Sequence, residues 1–395
     1  MTVSRPTADV PQHSVSASEL PRRATWFELF GDLVFVAAVG QATHRIGSHP
    51  HAASIAAAAA LFVPLWWTWV LYAVRANRAD RDLTAQRLLT TAGLAAVTGM
   101  AVYLGGVGHS RAADTGFVIS YLCARAGVAA LYLRDQRHEP RLRRIATVYV
   151  TGSALTAIIW LTATFALDGP ARYVTWGLAM AAELALPLLA GRRLSDSPSD
   201  AEHLRERFGL FTIIVLGESV LGFTNGLVEA HTAPMAALNG VAAFGLTAGL
   251  WWSYFSASST RPGAHEQLAS GGRHLHFYVF GHLPIQLALA VTGGAVGAAV
   301  SSTAPHLNTP LAACVLGGTA LFLTATALVR ASFTGLGEPV VLIRLGAAAA
   351  TLCLLPLAGR LPVAATLAAP AVLLAASVVA EAPGHRRRLI DVHGA

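Results

Sequence analysis

Apolar stretches long enough to cross a bilayer, about 20 residues each, recur along this chain from one end to the other. About twelve can be marked, near 26–46, 52–74, 88–107, 115–133, 145–167, 170–190, 208–228, 233–256, 274–300, 306–329, 336–357 and 361–380. A water-soluble fold would need a core helix of that length roughly every thirty residues, which soluble domains do not contain. Only 12% of the 395 residues are charged and 54% are hydrophobic, whereas an ordinary soluble domain is about 25% charged. The expected fold class is all-α: a polytopic helical membrane protein.

The formal charge of +7 raises the question of nucleic acid, and its distribution answers it. All 28 basic residues are arginine. With twelve spans and both ends cytoplasmic, 22 arginines fall in inner segments and four in outer loops (Arg45, Arg111, Arg172, Arg360). Arg125 and Arg344 lie inside spans. This asymmetry is the orientation signal of a membrane protein, and no nucleic-acid partner is needed to explain it. Location in the inner (plasma) membrane with cytoplasmic termini is the expectation. The opening residues 1–22 lack the short apolar core of a cleaved signal peptide, so the first span is expected to direct insertion.

The absence of lysine excludes a P-loop GK[ST] and a lysine Schiff base. Cys123, Cys314 and Cys353 stand singly in apolar segments, with neither disulfide nor CxxC spacing. No cofactor is expected.

Short motifs occur twice. WWTW (Trp66–Trp69) lies late in the second span and WWSY (Trp251–Tyr254) late in the eighth. ELFG (Glu28–Gly31) opens the first and ERFG (Glu206–Gly209) the seventh. Six spans per copy give both halves the same sense, hence two parallel six-helix repeats with shared sites near the midplane. The expected organisation is a polar tail 1–22, a first repeat 23–190, a linker 191–207, a second repeat 208–380 and a basic tail 381–395.

Polar groups inside the spans point to chemistry, because charge in lipid is expensive. Glu28 and Asp32 are one turn apart in the first span, with Gln41 and His44 further along; they read as a polar line facing the bundle interior. Glu28 also suits the positive end of the helix dipole. Glu218, about ten residues inside the seventh span and flanked by Gly217 and Ser219, is the expected central ion- or solute-handling group. Its structural alternative is a pair with Arg125 or Arg344. Glu183 reads better as paired.

A second constellation sits at the inner ends: Asn77, Asp80 and Asp82 among arginines, with Glu202, His203 and Glu206. Carboxylates beside guanidinium forks can hold Mg²⁺ and phosphate together, although mixed charge there is commonly solvated ion pairs. His274, His276 and His282 open the ninth span without a ligand spacing, and an interfacial role is expected. Gly245 with Gly249, and Gly293 with Gly297, give the small-xxx-small spacing of close helix packing.

ELFGDLVFVAAVGQATHRI (Glu28–Ile46) resembles the ELFFDLVFVFAITQL signature of the low temperature requirement protein A family. HLRERFGLFTIIVLGESVLG (His203–Gly222) resembles its second block, and NRADRD (Asn77–Asp82) fits the same pattern. One departure is Gly31, where the family carries a second aromatic. The resemblance implies a polytopic bacterial membrane protein linked to growth in the cold. A fainter likeness is to two-repeat potassium channels with F-S-D in their first and seventh helices. Phe30-Gly31-Asp32 keeps the acid, whereas Phe208-Gly209-Leu210 lacks it.

The preferred reading is therefore permeation of a small ion or solute along an intramembrane polar path (Glu28, Asp32, Gln41, His44, Glu218, Ser219), with the bilayer as the other partner. The rival is an embedded enzyme acting on an isoprenoid or lipid diphosphate at Asn77, Asp80, Asp82, Glu202, His203 and Glu206, with Mg²⁺. A structural stress protein is the third.

Overall fold

The computed structural model describes residues 24–48, 50–78, 84–190, 200–231, 234–258, 268 and 272–393, among which there is no strand. The long helices are α1 (Trp26–Ser48), α2 (Ala52–Arg78), α3 (Thr84–Leu104), α4 (Arg111–His138), α5 (Arg143–Ala166) and α6 (Gly169–Ala190). They are followed by α7 (Ala201–Glu229), α8 (Pro234–Ser258), α9 (Gly272–Ser301), α10 (Thr309–Thr334), α11 (Pro339–Leu352) and α12 (Val363–His393). A π turn, Ala313–Gly317, interrupts α10.

Local chemistry starts several of these helices. Ser110 Oγ accepts from Ala113 N, Asn308 Oδ1 from Leu311 N, and Asp200 Oδ1 from the amides of both Glu202 and His203. Each bond satisfies a backbone donor that the first helical turn leaves open.

Ten helices are long and apolar enough to cross a membrane among the described residues; α1 and α6 are not in that set. Both carry charge: Glu28, Asp32 and Arg45 in α1, Arg172 and Glu183 in α6. Large apolar side chains such as Ile158, Val241 and Val372 are exposed on the outer faces of other helices, as lipid-facing residues are. The chain is a multi-pass membrane protein.

Helix α1 packs against α2, α3, α7 and α9, and α7 packs against α8 and α9. The spacing of α7 and α9 is set by glycine. A Cβ on Gly297 would stand 2.9 Å from the Gly222 carbonyl oxygen, and one on Gly226 would stand 2.6 Å from that of Gly297. No side chain fits such a gap, so two backbones touch as the small-residue spacing predicts. Gly294 likewise lies against the Thr43 carbonyl of α1. Gly249 meets Leu374 of α12.

Much of the buried charge is paired. Arg125 of α4 meets Glu183 of α6, and Arg344 of α11 donates to Glu381 of α12 at 2.8 and 3.0 Å. Arg75 grips Asp135 at both oxygens, Arg172 grips Asp114, and Arg330 grips Glu338. Low dielectric makes such contacts strong and their disruption costly. The cysteines Cys123, Cys314 and Cys353 are free.

Candidate functional site

The polar groups of α1 divide by helical arithmetic. Asp32 and Gln41 are nine residues, about two and a half turns, apart and therefore on opposite faces. Asp32 is buried, whereas Gln41 and His44 are exposed. The interior polar line expected through all four residues is thus corrected: Gln41 and His44 leave it. Thr43 takes their place, since eleven residues from Asp32 is about three full turns. Sequence reasoning passed over Thr43 although the period could have found it.

Glu28 is engaged in three ways. Its carboxylate accepts from Thr25 N at 2.8 Å and Thr25 Oγ1 at 3.0 Å, while Thr25 Oγ1 accepts from Glu28 N. This is a capping box, readable as T-x-x-E. Glu28 Oε1 also lies 3.4 Å from Arg207 Nη1 and 3.4 Å from His203 Nε2. Asp32, one turn on, accepts from Arg207 Nη2 at 2.6 Å and from Trp69 Nε1 at 2.9 Å. Trp69 in turn stacks on Phe211, with ring centroids 4.2 Å apart. Helices α1, α2 and α7 therefore meet at one acid–guanidinium knot. Asp32 Oδ2 and Arg207 Nε are buried there without a hydrogen-bond partner.

A cavity of about 380 Å³ opens beside the knot between α1, α2, α3 and α7. Phe35, Trp69, Tyr72 and Leu94 form apolar wall, and Asp32, Gln86, Thr90 and Arg207 supply polar atoms. Gly31 lines it too, with Leu94 the nearest group to a side chain that might stand there, at 3.7 Å. The missing aromatic thus leaves room that belongs to this cavity. Its volume lies in the range of small-molecule sites.

Deeper along α7, Glu218 meets α1. Thr43 Oγ1 donates to Glu218 Oε2 at 3.1 Å, and the carboxylate rests over Gly40. Neither Arg125 nor Arg344 pairs with it; they hold Glu183 and Glu381. Asp32, Asp114, Asp135, Glu183, Glu338 and Glu381 each meet an arginine. Glu218 meets a hydroxyl. Its neighbour Ser219 is buried with an unbonded hydroxyl packed over Gly293. Between the knot and Glu218 the α1 face is apolar, with Phe35 and Val39 buried.

At the α2–α7–α9 seam Gln286 and Thr212 carried no sequence signal. Trp66 Nε1 donates to Gln286 Oε1 at 2.6 Å, and Gln286 Nε2 to Thr212 Oγ1 at 3.3 Å. His282, expected at an interface, is buried: Nδ1 donates to the Tyr278 carbonyl at 2.7 Å, and Tyr254 hydroxyl lies 2.9 Å from Nε2. It sits ten residues into α9, well past the helix end, which explains the difference.

The second expected constellation is partly assembled among the described residues. Asp80 and Asp82 lie outside the described residues. Asn77 Nδ2 donates to the Asp200 carbonyl at 2.7 Å and faces His203 Nδ1 at 3.3 Å. Glu206 accepts from Ala24 N at 3.1 Å, and Glu202 is exposed. Among the described residues no three His, Cys, Asp or Glu side chains converge as metal ligands.

Over residues 23–380 the chain matches the family described as bacterial low temperature requirement A protein (LtrA). It belongs to the LtrA family. A relative in Rhizobium meliloti (strain 1021), an uncharacterized protein, is 29% identical and the match covers 77% of this chain and 76% of the relative. No solved structure matches. The family assignment accounts for the two blocks quoted from α1 and α7, and the structure brings those blocks together: Glu28 and Asp32 of the first bond His203 and Arg207 of the second.

Filling the space at Gly31 offers a local test of the cavity. Gly31→Phe, with the aromatic that the LtrA signature carries there, is expected to occupy the cavity without disturbing the helix. A small-molecule fluorophore that partitions into the cavity should be excluded from the variant and admitted by the unaltered protein. Equal uptake would show that the opening does not admit solutes.

Proposed function

We propose that this LtrA-family protein moves a small ion or solute across the membrane, with a proton as coupled or conducted species, at the seam where α1, α2, α7 and α9 meet. One observation carries the reading: Glu218, well inside α7, is held by the Thr43 hydroxyl where Asp32, Asp114, Asp135, Glu183, Glu338 and Glu381 are held by arginine. A carboxylate in that position exchanges a proton or a cation without breaking an ion pair. The 380 Å³ cavity beside Asp32 would be the entry, and the Asp32–Arg207 knot the gate between entry and Glu218.

The twelve-span, two-repeat architecture is part of the proposal. The acids of α1 and α6 and Arg172 are neutralised inside the bundle by Arg207, Arg125 and Asp114, and Arg45 donates to the Leu104 and Val107 carbonyls, so both helices can cross. Packing supports duplication: the pairs α1–α2, α1–α3, α3–α4, α4–α5 and α5–α6 recur as α7–α8, α7–α9, α9–α10, α10–α11 and α11–α12. Twelve spans put both termini on one side, and the arginine asymmetry makes that side the cytoplasm. Reporter fusions within residues 134–144 and at each terminus should all read cytoplasmic. A periplasmic signal from the 191–207 linker would invert the gate and the entry.

The flux assay uses purified protein in vesicles loaded with a pH-sensitive dye, with a potassium gradient and valinomycin setting the potential. Protein-dependent proton entry is the expected result. If neither proton nor sodium or potassium flux exceeds that of empty vesicles, the reading fails. The enzyme alternative leans on Asp80 and Asp82; of its described members Asn77, His203 and Glu206 are engaged in hydrogen bonds and Glu202 is exposed.

A further inference from the structure

A second, wider groove lies away from that seam. Between α9 and α10, with Leu188 of α6 at its side, a space of about 1170 Å³ is walled by Phe277, Phe280, Leu321 and Leu328. That exceeds the roughly 300–1,000 Å³ of ordinary small-molecule sites, and its shape is elongated. From Gly272 to Pro284, both of which line it, α9 advances twelve residues, or about 18 Å. Half of a bilayer core about 30 Å thick is a comparable depth. The groove is therefore one leaflet long.

Its interfacial end is basic. Arg273 and His276 line the groove where α9 begins, and the Arg273 side chain is exposed. His276 Nδ1 donates to the Gly272 carbonyl at 2.7 Å, so Nε2 donates to a phosphate oxygen when the ring carries its second proton. The first turn of α9 adds open backbone amides at the positive end of a 30-residue helix. Guanidinium, imidazole and amides together match a phosphodiester, and the apolar walls beyond match acyl chains.

The geometry points to a binding site for one anionic phospholipid of the surrounding bilayer, with its headgroup at Arg273 and His276 and its chains against α9 and α10. This site is independent of the proposed flux.

The test is native mass spectrometry of the full chain equilibrated with equimolar phosphatidylglycerol and phosphatidylcholine. The expected result is one retained phosphatidylglycerol per chain, preferred about fivefold or more, as charge contacts of this kind provide. Arg273→Gln with His276→Gln should bring the preference close to unity. Arg141→Gln, which alters an exposed arginine that is paired with Glu139 and does not line the groove, should leave it intact. Thr324→Trp, which plugs the apolar wall, should lower retention of both lipids. Should the double variant fail to fold, Arg273→Lys keeps the charge, loses the fork, and is expected to weaken the preference by itself. Equal retention of the two lipids by the unaltered protein overturns the proposal, as does a preference that survives the plug or the folded charge variants. A partner protein co-purifying on this face in place of lipid would also overturn it.

Discussion

Replacing Glu218 by Gln should cut protein-dependent proton flux by about tenfold or more, a change that needs only about 1.4 kcal/mol in the limiting step, while the protein stays folded. Glutamine keeps the size and can still accept from Thr43, so the α1–α7 contact survives. What disappears is the group that can take up and release a proton. Thr43→Val should act in the same direction with a smaller effect, because it removes the hydroxyl and leaves the acid. Asp168→Asn is the control, since Asp168 is exposed and pairs with Arg111 at the surface, away from the seam. Flux within about twofold of the unaltered protein, against the tenfold step that one lost interaction of this size produces, would remove Glu218 from the path. If the variant instead loses its fold, the carboxylate is structural.

The second large effect is on stability. Arg207→Gln strips Asp32 of its 2.6 Å partner and Glu28 of one of its cations. Orphaning a buried charge in this way costs about 3–5 kcal/mol, and thermal unfolding of the purified protein in detergent should register it. Adding Asp32→Asn to Arg207→Gln should recover much of the loss, because Asp32 is then no longer a lone buried charge. A double variant as unstable as the single one would mean that the knot contributes through packing around Trp69 and not through charge. The pair of experiments also separates gate from scaffold: a gate variant that is refolded by the double change should still transport without control.

Much of the fold was legible because the bilayer imposes a length on every crossing segment, and apolar runs report that length directly. The limits of legibility follow from individual residues. Glu28 and Asp32 share a face by spacing, and their role as neighbours held. Gln41 and His44 were added by proximity in the sequence alone, whereas the 3.6-residue period excludes Gln41 and selects Thr43. The T-x-x-E cap at Thr25–Glu28 was equally readable. Arg207 as partner of Asp32 was not, for the two are 175 positions apart and only tertiary packing joins them. The same holds for Trp66 with Gln286 and for Arg344 with Glu381. Which of several intramembrane acids lacks an arginine is a question about pairs, and no single segment contains the answer.

The length of chain between Asp32 and Arg207 has a consequence in time. A ribosome adds about 5–20 residues per second, so the 175 positions separating the two correspond to about 9–35 s. Throughout that interval α1 has been made and its countercharge has not. The nascent first helix must spend this period beside water, a headgroup or the insertion machinery, and it can sink to its final depth once α7 emerges. Slower elongation lengthens the delay in proportion, so the wait of the first helix for its countercharge scales with the pace of synthesis.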